Sequence, residues 1–177
     1  MAEGGLLLLG LDPGLQATGW GVIEAQGTRL RHVSDGTIRS KRGKDISARL
    51  LEISGALREI LERLRPNEIA MESSFFHLDA NAALKLGKVC GVCLLTAGEA
   101  GVPVREYAPN LVKSSVVGYG HADKQQVRHM VARLLAGVAG DSEHASDALA
   151  VAICHAQHRP LERAKKAARA AMSTVAR

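Results

Sequence analysis

Aromatic side chains are scarce in this 177-residue chain: one Trp, two Tyr and two Phe amount to 3% of it, against 46% hydrophobic residues overall. Its core must therefore be built from Leu, Val, Ile and Ala rather than from stacked rings. Cysteine is rarer still, at three, and a domain of about 150 residues buries about 70% of its unfolded surface without disulfide staples. Cys90-Gly91-Val92-Cys93 formally matches a CxxC, but it falls inside a helical pattern rather than at a helix start, and no second CxxC completes a zinc site. Buried structural thiols are the expectation. No run of about 18 apolar residues is present, which argues against a membrane span. A basic stretch followed by a cleavable apolar segment is missing at the amino end, so export is not indicated and a cytoplasmic location is the default.

Balanced charge is also missing. The net charge is +5, with a pI near 9.4. From Arg159 onward six Lys or Arg face one acid, Glu162, so this stretch carries the whole excess and the residues before it sum to zero. A phosphate-binding surface on the body must come from local clustering, and Arg39-Ser40-Lys41-Arg42-Gly43-Lys44 is the clearest cluster. Its bland alternative is a solvated loop.

The apolar pattern predicts one α/β domain over 1–158. Strands are expected at 6–12, 19–24 and 29–38, with turn chemistry at Gly27-Thr28 and Asp35-Gly36; short connections imply antiparallel neighbours. Leu50, Ile53, Leu57, Ile60, Leu61 and Leu64 recur at helical spacing, predicting an amphipathic helix over 46–64 that Pro66 follows. A buried strand at 69–72, reached by a crossover, should pair parallel with an earlier one. Further elements are a helix at 81–99, a strand at 102–107 and helices at 125–135 and 144–157. The helix at 81–99 is apolar on several sides, with Gly87 and Gly91 as a smooth strip, and is either deeply buried or covered by a second subunit. The basic, Ala-rich tail 159–177 is expected to be disordered, helical only when bound.

Chemistry enters at four positions. Asp12 ends the run Leu6-Leu7-Leu8-Leu9-Gly10-Leu11, and Glu72 ends Ile69-Ala70-Met71, so each carboxylate caps a buried strand and needs a partner or a metal. His144 and Asp147 are three apart, ahead of an apolar helix, and share one face. Together they suit two metal ions about 4 Å apart that stabilise the attacking and leaving oxygens of a phosphodiester. Asp141 and Glu143 compete for the last ligand position by spacing alone, or sit in the first helical turn, where negative charge is favourable.

Leu11-Asp12-Pro13-Gly14, Thr18-Gly19-Trp20-Gly21-Val22-Ile23, Ala83-Leu84-Lys85-Leu86-Gly87, Val116-Val117-Gly118-Tyr119-Gly120 and Ser146-Asp147-Ala148-Leu149-Ala150 together resemble the RuvC family of Holliday-junction resolvases. The resemblance spans nearly the whole chain before the tail. It implies a ribonuclease H-like fold with a five-stranded mixed sheet, three antiparallel strands then two parallel, flanked by helices. It further implies a homodimer that nicks two opposed strands of a four-way DNA junction in recombination and repair, and cooperation with a branch-migration complex. Asp12, Glu72 and Asp147 fall on family metal-binding acids, and His144 falls where many relatives have Asp and others His. Mg²⁺ or Mn²⁺, two ions per site, is the implied cofactor, and an imidazole ligand shifts preference toward Mn²⁺. Phe75 falls where the family uses an aromatic near the junction centre, in position to stack on an unpaired base. Lys113 and Lys124 fall on family basic positions near the acids, and Arg128, one turn after Lys124, is a further phosphate-contact candidate, with Arg39, Lys41 and Arg42 on the body.

Competing readings are a junction-binding scaffold that has lost catalysis and a related nuclease with another nucleic-acid substrate. The scaffold is disfavoured because every ligand position can bind metal. A sugar-kinase-type phosphotransferase shares an Asp and Gly after its first strand, but normally needs two such domains.

Overall fold

A computed structural model describes residues 5–73, 79–138 and 140–175, the last sixteen of these through their backbone only. The chain forms β1 (Leu6–Asp12), β2 (Ala17–Gln26), β3 (Arg29–Arg39), α1 (Ile46–Leu64), β4 (Glu68–Glu72), α2 (Ala80–Glu99), β5 (Val104–Tyr107), α3 (Pro109–Val117), α4 (Lys124–Leu134) and α5 (Glu143–Val175). The strands lie in the order β3-β2-β1-β4-β5. The first three are antiparallel, and β4 and β5 run parallel to β1, as expected.

Successive side chains on a strand face opposite ways, and β1 divides its leucines accordingly. Leu8 joins the cluster on the α5 side with Ile23, Ala70 and Leu149. Leu9 and Leu11 join the cluster on the α1 and α2 side with Ile53, Leu57 and Cys93. Even-numbered residues of β1 and β4 therefore look toward α5, and Asp12 and Glu72 are both even-numbered.

α5 approaches the sheet closely because that face is paved with glycine. A Cβ on Gly10 would stand 1.9 Å from the Ala148 carbonyl oxygen, and one on Gly19 would stand 1.9 Å from that of His144. Further along, a buried polar brace ties α5 to the sheet. Tyr107 Oη and His155 Nδ1 are 2.7 Å apart, His155 Nε2 lies 2.9 Å from Glu68, and Arg159 Nε donates to Glu68 at 2.6 Å. Burial pushes Glu68 up, but Arg159 and His155 outweigh it and hold the carboxyl below its ordinary value.

Several expectations need correction. Asp35-Gly36 makes no turn: β3 runs straight through it, and Gly36 leaves room for the Trp20 ring, 2.9 Å from where a Cβ would sit. α3 was not anticipated. α5 continues through Pro160 to Val175 rather than stopping at Gln157, since Pro160 removes one N–H but the following alanines favour helix. α2 is, by length and composition alone, apolar enough to cross a membrane. Its Val89, Cys90, Cys93 and Ala97 are instead buried against the α1 side of the sheet. The three cysteines are buried and unpaired, and burial raises the Cys90 and Cys93 thiols to about 11 and about 12, far from a reactive thiolate.

Candidate active site

Parallel pairing of β1 with β4 sets Leu11 beside Met71, so Asp12 and Glu72 follow as neighbours at the carboxyl ends of adjacent strands. α5 crosses above them. His144 Nδ1 lies 3.2 Å from Asp12 Oδ2. Lys124, first residue of α4, pairs with Glu143 and lies 3.7 Å from Asp147 Oδ2. The fold thus brings Asp12, Glu72, His144, Asp147 and Lys124 together. Lys124, Arg128, Glu143, Ser146 and Asp147 line a hollow of about 250 Å³ beside them.

Electrostatics mark the cluster as crowded with negative charge. Burial raises the Asp12 carboxyl from 3.8 to about 6; the His144 hydrogen bond opposes this, and the Asp147 and Glu72 charges add to it. Asp147 is also raised, by burial first, with Lys124 opposing. Lys124 is raised, chiefly by its bond to Glu143. Buried, mutually repelling carboxylates are a donor set that a hard divalent cation would satisfy. Among the described residues no three of these side chains already form a closed cage, so their oxygens would have to draw in around an ion.

The alternatives left open by spacing separate here. Glu143 is exposed and turned to Lys124, and the Asp141 backbone N–H donates to Asp35, which leaves His144 and Asp147 facing the strand ends. Lys113 is half-buried on α3 and takes part in no ion pair among the described residues. Phe75 lies outside the described residues.

Arg39, Lys41 and Arg42 lie beside the β1–β2 loop that follows Asp12. Arg42 donates to Gln16, while Arg49 donates to Leu15 O at 3.0 Å and to Ser40 Oγ at 2.9 Å. Arg49 had no sequence signal, because on α1 it reads as one more polar-face residue. Thr18, fully buried, closes the same loop by donating to Gly14 O at 2.8 Å.

Residues 8–155 match the family model for the crossover junction endodeoxyribonuclease RuvC. The chain belongs to the RuvC family. It is 52% identical over 151 residues to RuvC of Parvibaculum lavamentivorans, covering 85% of this chain and 86% of that one. It is 48% identical over 152 residues to RuvC of Mesorhizobium japonicum, covering 86% and 90%. Among solved structures, T. thermophilus RuvC in complex with Holliday junction substrate is similar at a TM-score of 0.83 and 33% identity, covering 89% of this chain and 96% of that one. The mixed sheet with its flanking helices is thus the ribonuclease H-like fold of the RuvC resolvases.

Proposed function

We propose that this chain resolves four-way DNA junctions by paired symmetric nicks in recombination and repair, with water as the nucleophile. The observation that supports this is the meeting of Asp12, Glu72, His144 and Asp147 where two strand ends face α5, in a chain of the RuvC family. Asp12, Glu72 and Asp147, with His144, would hold two Mg²⁺ or Mn²⁺ ions. When bound, these supply Lewis acidity to the scissile phosphate and lower the pKa of a bound water.

The remaining work falls to the chain's own residues. Lys124 holds its charge close to Asp147 and exchanges Glu143 for a phosphate oxygen when DNA arrives; Arg128 adds charge along the same hollow. Arg39, Lys41 and Arg42 hold a DNA arm by its backbone, Lys113 is a further phosphate contact, and Phe75 stacks on an unpaired base. A second copy of the chain supplies the opposed site. Leu84 and Leu95 on α2 are 60% and 63% exposed, and a Cβ on Gly91 would meet nothing, which suits this helix to a subunit interface. The enzyme would work in the cytoplasm beside a branch-migration complex.

The deciding experiment is cleavage of an end-labelled four-way junction beside a linear duplex of the same sequence, with Mg²⁺ or Mn²⁺. Symmetric nicks confined to the junction are expected. Binding without cutting under either ion would favour a scaffold, and equal cutting of both DNAs a general nuclease.

Two further outcomes are expected. Lys124→Ala lowers the single-turnover cleavage rate about a hundred-fold, the scale of removing one preorganised charge from a transition state, with a much smaller change in junction affinity. Equal losses in both would mean that Lys124 only binds DNA. His144→Asp moves relative activity from Mn²⁺ toward Mg²⁺, because carboxylate is the harder ligand. An unchanged Mn²⁺ to Mg²⁺ rate ratio across a concentration series would remove His144 from the coordination sphere.

A further inference from the structure

His144 sits in the first turn of α5, the part of a helix whose N–H groups lack partners and which frays most easily. Something outside the helix must fix it. β3 carries two polar side chains at this place. Asp35 pairs in the ladder with Gly21, and Thr37 with Gly19, so both look toward α5 across the glycine floor. The Asp35 side chain is 9% exposed, and its Oδ2 accepts the Asp141 backbone N–H at 2.9 Å. His32 Nε2 stands 3.8 Å from the same oxygen. Thr37 Oγ1 and Ser142 Oγ share a hydrogen bond of 2.7 Å.

Ser142 then passes this hold into the helix. Its Oγ accepts the Ala145 N–H at 3.1 Å, and its carbonyl accepts that of Ser146 at 2.9 Å. The two residues on either side of these bonds are His144 and Asp147. Gly140, at φ +91, turns the chain into the tether.

We propose that Asp35 and Thr37 are positioning residues for the cleavage reaction, tethering the start of α5 so that His144 and Asp147 are held over Asp12 and Glu72. This rests on the reading of those four residues as the metal site. Neither side chain touches the reacting atoms. Their effect comes through geometry, and a displacement of about 1 Å in a catalytic constellation can lower a rate about a hundred-fold.

The test uses the full chain as Asp35→Ala, Asp35→Asn and Thr37→Val. Single-turnover cleavage of a four-way junction, junction affinity without metal, and the rise in Tm on adding Mn²⁺ without DNA are measured for each. Asp35→Ala and Thr37→Val are expected to cut at least about ten-fold more slowly, to bind the junction as the native chain does, and to show a smaller Mn²⁺-induced rise in Tm. Asp35→Asn keeps an acceptor for the Asp141 N–H and is expected to restore native values in all three. Native cutting by Asp35→Ala and Thr37→Val, or an Asn variant as slow as the Ala variant, overturns the proposal. Should Asp35→Ala fail to fold, Thr37→Val decides, since it changes only the hydroxyl. A native chain that neither cuts nor gains stability with Mn²⁺ overturns the metal-site reading and this proposal with it.

Discussion

Asp12→Asn is expected to reduce junction cleavage by about a thousand-fold or more while making the metal-free protein harder to melt. The loss follows from removing the carboxylate at the centre of the four-residue cluster, where several kcal/mol of transition-state stabilisation depend on bound metal. The gain in stability has a separate origin. Burial, reinforced by the Asp147 and Glu72 charges, raises Asp12 from 3.8 to about 6 despite the His144 hydrogen bond. A carboxyl raised on folding holds its proton more tightly in the folded chain than in the unfolded one. Above about pH 6 the metal-free fold therefore carries the cost of an ionised Asp12, and this cost is relieved as pH falls from about 6 toward 3.8. Asn removes it at every pH.

Metal binding has the opposite dependence, since it needs the carboxylate and weakens as pH falls through about 6. Melting native and variant chains with and without Mn²⁺, at about pH 7.5 and about pH 5.5, separates these effects. The variant should gain a few degrees at the higher pH and a smaller amount at the lower, where the cost is only partly relieved, and only the native chain should respond to Mn²⁺, more at the higher pH. A metal-free variant that melts below the native chain at the higher pH would show that Asp12 stabilises the fold as a carboxylate, contrary to this account.

Gly19→Ala should also damage cleavage severely, by a different route. The added methyl would lie 1.9 Å from the His144 carbonyl oxygen and 2.4 Å from its carbon, and backbone atoms cannot swing aside as a side-chain end can. α5 must lift instead. Gly19 pairs with Asp12 across the β1–β2 ladder, so the displacement falls where His144 meets Asp12. Overpacking of this kind costs about 1–3 kcal/mol, which for a domain of this size lowers Tm by several degrees. Cleavage should fall by more than about a hundred-fold, beyond what that loss of stability explains at a temperature where the variant is still folded. Gly55→Ala on α1 is the control, since its Cβ would meet nothing within 4 Å; helix propensity should raise its stability by up to about 1 kcal/mol with cutting unchanged. Normal cutting by Gly19→Ala would mean that the α5-to-sheet spacing does not set the site.

The parts of this arrangement that were legible in the sequence are those written as a period. α1 begins and ends where its apolar spacing and Pro66 indicate. The strands carrying Asp12 and Glu72 were visible as apolar runs ending in an acid, whereas the β1–β4 register that sets both acids on the α5 face appears only in the fold. α3 was missed because it is nine residues long, begins with Pro109 and buries only Val112 and Val116, too few positions for a period to emerge. Asp35-Gly36 carried turn chemistry, yet the strand continues because Gly36 is needed beneath Trp20, a demand made by another strand. The Tyr107, His155, Glu68 and Arg159 brace joins residues far apart in the chain, and no local signal announces such a pairing.

α5 is held at both ends of its packed length, by the β3 tether at Asp141 and Ser142 and by the Glu68 brace at His155 and Arg159. Between them Ala148 to Cys154 are essentially without solvent contact. Backbone amides in such a segment are expected to be among the slowest of the domain to exchange with deuterium. His144 and Asp147, half of the proposed metal-binding cluster, stand just ahead of this segment on the same helix. On the proposed reading, a copy in which this segment opens is expected to lose the cutting site together with the fold, and so to fall silent toward DNA rather than cut indiscriminately.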